Sequence, residues 1–446
     1  MTYIHGWRHD AALGNGNVIR FRTILGYTRS ALNARCIETG EYCDASLTGV
    51  YLSWRGRSFN EPVSANAAGP WLAGGLWTNW ARKAQSEKLA TPTIERNTEE
   101  AKCRPPKHGA RENSSIVGGT LRAIERSLDL DHGNTGAEKM LVMGHSYGGK
   151  MLAHYLRPTA LDQIECHTIG DEMKPLLGDL VVLLNPASEA AKWTALQYKM
   201  REHAGIPDDV YNVSSKAGLS PQETQALSRW KGMFPPRQRP FYISLTAAGD
   251  WGSVEDGRQH PDNATRLIFP VSKLLIGQTQ REQRTAIGHL LPKYASPSGA
   301  GKMRPAGAPV GTTHEFIVNS GLRVETAYIN SGTPAYSSCG SHSGWLHRAQ
   351  QRNKEGWDTG WLDQHAPSRL NNMGRDTNGE KAEVQIRQYL QPITQKYGHS
   401  VAQATSPFWN MRAWKTAVYD HSAFINYVTL CGINLLWLDN AAAGAQ

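Results

Sequence analysis

Lys139-Met140-Leu141-Val142-Met143-Gly144-His145-Ser146-Tyr147-Gly148-Gly149-Lys150 is the stretch on which the reading of this chain turns. The apolar run at 139–143 predicts a strand, and Tyr147 to Leu156 predicts a helix directly behind it. Between them stands a G-x-S-x-G pattern. A serine on a sharp strand-to-helix turn has a strained backbone and needs small neighbours, because the following helix passes close by. The start of that helix offers backbone N–H groups and the positive end of a dipole, where a developing oxyanion would be stabilised. Gly144 to Lys150 also satisfies the phosphate-cradling G-x-x-x-x-G-K. That loop needs Ser or Thr next to hold Mg²⁺, and here Met151 follows, so the phosphate reading is set aside.

Working outward, Leu180-Val181-Val182-Leu183-Leu184 is a near-continuous apolar run, the pattern of a strand covered on both faces in a parallel sheet. Further strands are expected at Tyr3-Ile4-His5, Val50–Trp54, Phe241–Leu245 and Phe408–Met411. Helices are expected over about 17–35, over Ile116 to Leu128 and from about Ser422 to Leu438. Strands alternating with helices predict an α/β fold with a mostly parallel central sheet flanked by helices. Residues 88–112 are polar with Pro92, Pro105 and Pro106 and read as a loop. Residues 251–400 break the rhythm, being rich in Gly, Pro, Ser, Gln and Asn, with strand-like signals only at Glu315–Val318 and Thr326–Ile329. They are expected to form a long insertion before the last core strand of one domain whose core is 1–250 and 401–446. A small cap is expected within 60–112, where Trp71, Trp77 and Trp80 cluster with Leu72 and Leu76; core packing and a substrate groove both suit them.

The 446 residues are 40% hydrophobic and 20% charged, which places the chain among globular proteins. No apolar run of about 18 residues predicts a transmembrane helix, and the start, Met1 to Gly6, has no signal-peptide pattern. The net charge of +9 is scattered without a basic run, so a solvated basic surface is expected and no nucleic-acid partner. Six cysteines are too few for a disulfide scaffold, although Cys36 and Cys43 are close enough in sequence to bridge a loop.

A serine hydroxyl is a weak nucleophile and needs a base oriented by a third group. Asp250 follows the strand at 241–245 in Thr246-Ala247-Ala248-Gly249-Asp250-Trp251, where small residues let the chain turn out and present a carboxylate. Asp256 and Asp262 are the nearest substitutes. His421 stands in a loop between the 408–411 strand and the last helix, and can reach back over the sheet edge to Ser146; His399 and His365 lie in insertion-like surroundings. The backbone N–H groups of Tyr147 and Trp7 are the candidate oxyanion donors, with Gly6 allowing close approach. His5, Gly6, His145 and Trp251 are expected to line the substrate site. Cys339, His342 and His347 have loosely metal-like spacing but sit in a Ser-rich loop, and no metal or cofactor is expected.

Together, the His5-Gly6 pair, the Gly144–Gly148 elbow, Asp250 and the late His421 resemble the α/β-hydrolase superfamily. Within it the chain is most similar to bacterial lipases and carboxylesterases, in compact members where the His-Gly strand lies near the start. The resemblance covers residues 1–250 and about 405–440, and the family order of Ser, then acid, then His is met. It implies hydrolysis of carboxylic esters through an acyl-enzyme on Ser146, without an organic or redox cofactor. The implied substrate is a small-molecule or lipid ester, with peripheral contact at a lipid surface. The long stretch between Asp250 and His421 departs from the pattern. Two further readings remain: an antibacterial lipid-degrading toxin of the same chemistry, motivated by the basic charge and the insertion, and a non-catalytic binding protein on this fold.

Overall fold

The computed structural model describes residues 1–6, 9, 11–39, 42–54, 76–91, 115–128, 138–205, 221–235, 238, 240–247, 286–287, 314–316, 390–392, 406–413, 430, 433–434 and 437. Eight strands form one sheet: β1 (Thr2–Ile4), β2 (Val50–Leu52), β3 (Leu141–His145), β4 (Leu180–Leu184), β5 (Tyr242–Ala247), β6 (His314–Phe316), β7 (Leu390–Pro392) and β8 (Phe408–Ala413). Their order is β2-β1-β3-β4-β5-β8-β6-β7. Every pairing is parallel except β6 with β7. The helices are α1 (Gly16–Thr39), α2 (Leu76–Ala90), α3 (Ile116–Ser127), α4 (Tyr147–Glu165), α5 (Ala190–His203) and α6 (Pro221–Lys231). The expected mostly parallel α/β sheet flanked by helices is present.

Period-2 alternation divides the strand side chains between two covered faces. Ile4, Val142, Val181, Leu183, Tyr242 and Phe408 join one core with Leu121 of α3, Met151 and Leu152 of α4 and Trp193 of α5. On the other face Tyr3 stacks on Phe21 of α1, ring centroids 5.5 Å apart. Thr28 of α1 donates a hydrogen bond to Asn434 at 3.2 Å. Leu430, Ile433, Asn434 and Trp437 are helical and buried, at positions within the expected C-terminal helix. Burial on both faces is why β3 and β4 read as unbroken apolar runs.

Local chemistry sets several boundaries. Ser115 caps α3, its hydroxyl accepting from Gly118 N–H at 2.9 Å. Buried Glu125 near the end of that helix accepts from Gly178 N–H at 2.8 Å and pairs with Arg122 at 2.6 Å, which ties α3 to the turn before β4. Helix α4 runs through Pro158 to Glu165, past the end expected at Leu156. Burial of Ala160 and Ile164 in the core offsets the interior proline, which by itself costs about 3 kcal/mol.

Two sequence readings are corrected. Residues 88–90, taken as loop, close α2, whose inward positions Lys83, Ser86 and Ala90 carry little apolar signal. The strand expected at Val50–Trp54 ends at Leu52, because Trp54 N–H donates to a histidine ring instead of a neighbouring strand. Within 251–400, β6, beside the strand-like signal at Glu315–Val318, and β7 add two strands to the sheet beyond β8. The strand-like signal at Thr326–Ile329 lies outside the described residues.

Among the described residues no helix is long and apolar enough to cross a membrane. Cys36 and Cys43 are joined by a disulfide, as their spacing allowed, and Cys166 is also disulfide-bonded.

Candidate functional site

In a parallel sheet all carboxyl ends share one edge, and ligand sites form where adjacent strands send their chains in opposite directions. Here that point lies between β1 and β3. The chain leaving β1 goes outward to β2, and the chain leaving β3 goes the other way to β4. His5-Gly6 follows β1 and Ser146 follows β3, so the topology alone brings the two motifs together.

Ser146 has φ 55° and ψ −114°, a conformation disfavoured for any residue with a side chain. Its neighbours hold it there. Its N–H donates to Leu184 O at 3.0 Å, and its carbonyl accepts from Lys150 N–H and Ala187 N–H, both at 3.0 Å. Ser146 is 6% exposed. Tyr147 opens α4, so its N–H belongs to the first turn, which has no acceptor within a helix. Its phenol is buried, and burial, followed by the charges of Glu189 and Glu87, raises its pKa.

Two glycines make the close approach. A Cβ on Gly148 would lie 2.2 Å from Ile4 O, so the start of α4 touches the backbone of β1. A Cβ on Gly6 would lie 2.9 Å from Ser146 Cβ and 3.3 Å from His145 O, so the loop after β1 lies directly against the serine.

His5, expected to line the substrate site, has both ring nitrogens hydrogen-bonded within the protein. It is fully buried, and its Nδ1 donates to Gly6 O at 2.6 Å. Its Nε2 accepts from Trp54 N–H at 3.1 Å, which fixes the neutral Nδ1–H tautomer. Trp54 Nε1–H donates in turn to His5 O at 2.9 Å. The ring therefore staples β1, the end of β2 and the Gly6 loop together. His145 is also buried, at the last position of β3. Trp7, Asp250, Trp251 and His421 lie outside the described residues, as do Asp256, Asp262, His365, His399, Cys339, His342 and His347. In sequence Asp250 follows shortly after β5 and His421 after β8, two strands parallel to β3 that end on the edge bearing Ser146.

Sequence reading missed a buried charge cluster behind the elbow. Lys150 of α4 is fully buried; its ammonium lies 2.9 Å from both carboxylate oxygens of Glu189 and 2.7 Å from Glu87 of α2. Lys83 reaches Glu189 at 2.8 Å, and Lys192 reaches Glu87 and Glu189 at 3.0 Å. The local signals were the i, i+4 spacing of Lys83 and Glu87 and the i, i+3 spacing of Glu189 and Lys192, which read equally as solvated helix faces. Burial pushes the Glu189 carboxyl up, but Lys150, Lys192 and Lys83 outweigh it and hold it well below its ordinary 4.5. For Glu87, burial is likewise outweighed by Lys150 and Lys192, and the pKa falls to about 2. Burial, then the charge of Lys192, lowers His154 to about 4 from 6.5.

These shifts predict acid lability. A depressed carboxyl contributes stability that is complete above its unfolded pKa and is lost as pH falls toward the folded one, here from 4.5 to about 2 for Glu87. His154, held neutral, contributes fully above 6.5 and loses its share as pH falls through about 4. The melting temperature should therefore decline below pH 6.5 and more steeply below 4.5. Glu87→Gln should flatten the lower segment in a thermal-melt series. A wild-type melt unchanged down to pH 2 would contradict this account.

A cavity of about 240 Å³ opens beside the site, lined mainly by Ile4, Leu52, Trp54, Leu89, Val117 and Met151. The Trp54 ring, part of the cavity wall, meets Tyr147 edge-on at 6.3 Å. Among the described residues no group of acidic, cysteine and histidine side chains has the arrangement of a metal site. Compared with known protein families, with curated proteins and with solved structures, the chain matches none of them.

Proposed function

We propose that the protein is a serine hydrolase of the α/β-hydrolase fold that cleaves carboxylic esters. The observation that carries this reading is Ser146, in a strained turn at the carboxyl edge of the sheet, with the Gly6 loop packed against it. The order β2-β1-β3-β4-β5-β8, with a His-Gly strand beside the nucleophile strand, supports the fold assignment.

In the proposed reaction Ser146 Oγ attacks the ester carbonyl while His421, oriented by Asp250, takes the hydroxyl proton. The N–H groups of Tyr147 and Trp7 stabilise the tetrahedral oxyanion, each contributing on the order of 3 kcal/mol. Collapse of the intermediate breaks the C–O bond, and His421 returns the proton to the departing alcohol. Water, deprotonated by the same histidine, then releases the acid from the acyl-enzyme. The apolar cavity beside Trp54 is a candidate for the acyl group. It is small compared with the ~300–1,000 Å³ of common ligand sites, which favours short chains. The disulfide-bonded cysteines support function in an oxidising compartment.

The test is reaction with a fluorophosphonate probe, with the modified peptide mapped and a panel of esters of increasing acyl length run in parallel. Label on Ser146, lost in His421→Ala, and an optimum among short acyl esters are expected. Folded protein that carries no label on Ser146 would refute the nucleophile assignment.

A further inference from the structure

The segments that hold Ser146 are tied to each other by a charge pair in addition to their backbone bonds. The serine carbonyl accepts from Lys150 N–H, one turn into α4, and from Ala187 N–H, in the loop after β4. Two residues beyond Ala187 stands Glu189, whose carboxylate meets the Lys150 ammonium through both oxygens at 2.9 Å. The result is a closed ring: Ser146 carbonyl, Ala187, Glu189, Lys150 and back to the same carbonyl. Lys150 is 0% exposed and the Glu189 side chain 9%, so water does not compete for the pair. Pro186 closes the ring from outside, since a Cβ on Gly149 would lie 3.0 Å from it.

We infer that Lys150 and Glu189 are positioning residues that brace the nucleophile turn, an inference that rests on the reading of Ser146 as the nucleophile. Docking of α2 is a different role for the same cluster, and Glu87 separates the two. Glu87 belongs to α2 and touches Lys150 and Lys192, but it is no part of the ring through Ser146. A residue that merely anchors α2 lowers stability, whereas a residue of the ring changes the reactivity of the serine in protein that remains folded. An ionised lysine and carboxylate suit this work because charge-assisted hydrogen bonds are about twice as strong as neutral ones.

The experiment compares the fluorophosphonate labelling rate and the melting temperature of the full chain in five forms: wild type, Lys150→Met, Lys150→Arg, Glu87→Gln and Ile164→Ala. Ile164 is buried near the far end of α4 and reports what destabilisation alone does. Labelling is measured well below each melting point. Lys150→Met is expected to slow labelling at least tenfold, and Lys150→Arg to recover most of that loss. Glu87→Gln and Ile164→Ala should melt earlier but label within about twofold of wild type. If Lys150→Met yields no folded protein, Glu189→Gln, which keeps the shape of the carboxylate, takes the same reading. A lysine or glutamate variant that labels at the wild-type rate overturns the brace and leaves the nucleophile standing. Equal slowing in Glu87→Gln or Ile164→Ala overturns it as well. A wild type that does not label at Ser146 removes the nucleophile assignment and the brace with it.

Discussion

Replacing Ser146 by alanine should lower ester hydrolysis by roughly 10⁵-fold while the protein stays folded and melts close to wild type. The rate falls because no other group can form the acyl bond, and the residual rate is what the oxyanion donors and binding supply on their own. The fold should survive because the turn is held through the Ser146 backbone by Leu184, Lys150 and Ala187. A companion variant sharpens the expectation. At φ 55° and ψ −114° any side chain is strained, so Ser146→Gly should be equally inactive yet more stable by about 1 kcal/mol. Activity against a short acyl ester and thermal melts of all three proteins read both effects together. Full hydrolysis by Ser146→Ala would remove the nucleophile from this site.

Gly148→Ala should be the most damaging single-methyl change in the described structure for both stability and activity. The new Cβ would stand 2.2 Å from Ile4 O, 2.7 Å from Ile4 C and 2.9 Å from His5 O, all backbone atoms. None can move like a side chain, because β1 is paired on both sides, with β2 and with β3. The start of α4 must therefore retreat from β1, and Ser146 and Tyr147 retreat with it while Gly6 stays behind. The expected cost is about 3 kcal/mol in urea denaturation, at the upper end for an overpacked site. Because a misplacement near 1 Å at a reacting centre costs about 100-fold in rate, labelling of Ser146 should fall by that order in the protein that remains folded. An alanine variant with native stability would show that the approach of helix to strand is looser than described.

The central part of the fold was legible because both faces of the sheet are covered. Leu180–Leu184 and Leu141–Met143 have no solvent side, so their composition announces a strand even without alternation. The tight strand-to-helix turn at Ser146 was legible because such a turn imposes glycine at fixed offsets. By contrast, α2 turns Lys83, Ser86 and Ala90 inward and so gives no clean apolar stripe, whereas Trp193, Leu196 and Met200 of α5 stand at helical spacing and mark that helix in the sequence. The partnership of Lys150 with Glu189 and Glu87 joins three elements distant in sequence, and no local pattern encodes such a meeting. His5 was assigned to substrate for its place beside Gly6. The contacts of its ring with Ser53 and Trp54, just past the end of β2, join positions about 48 residues apart that no local pattern links.

The pairing of β5 with β8 bears on how the chain is made. About 160 residues separate the end of one strand from the start of the other, and β5 has no partner on that edge until β8 arrives. At a translation rate of ~5–20 residues per second the gap lasts on the order of ten seconds or longer. During that interval Tyr242-Ile243-Ser244-Leu245-Thr246, uncharged and β-prone, presents a free edge able to recruit a neighbouring nascent chain. Slower synthesis or added chaperone capacity should therefore raise the yield of soluble protein.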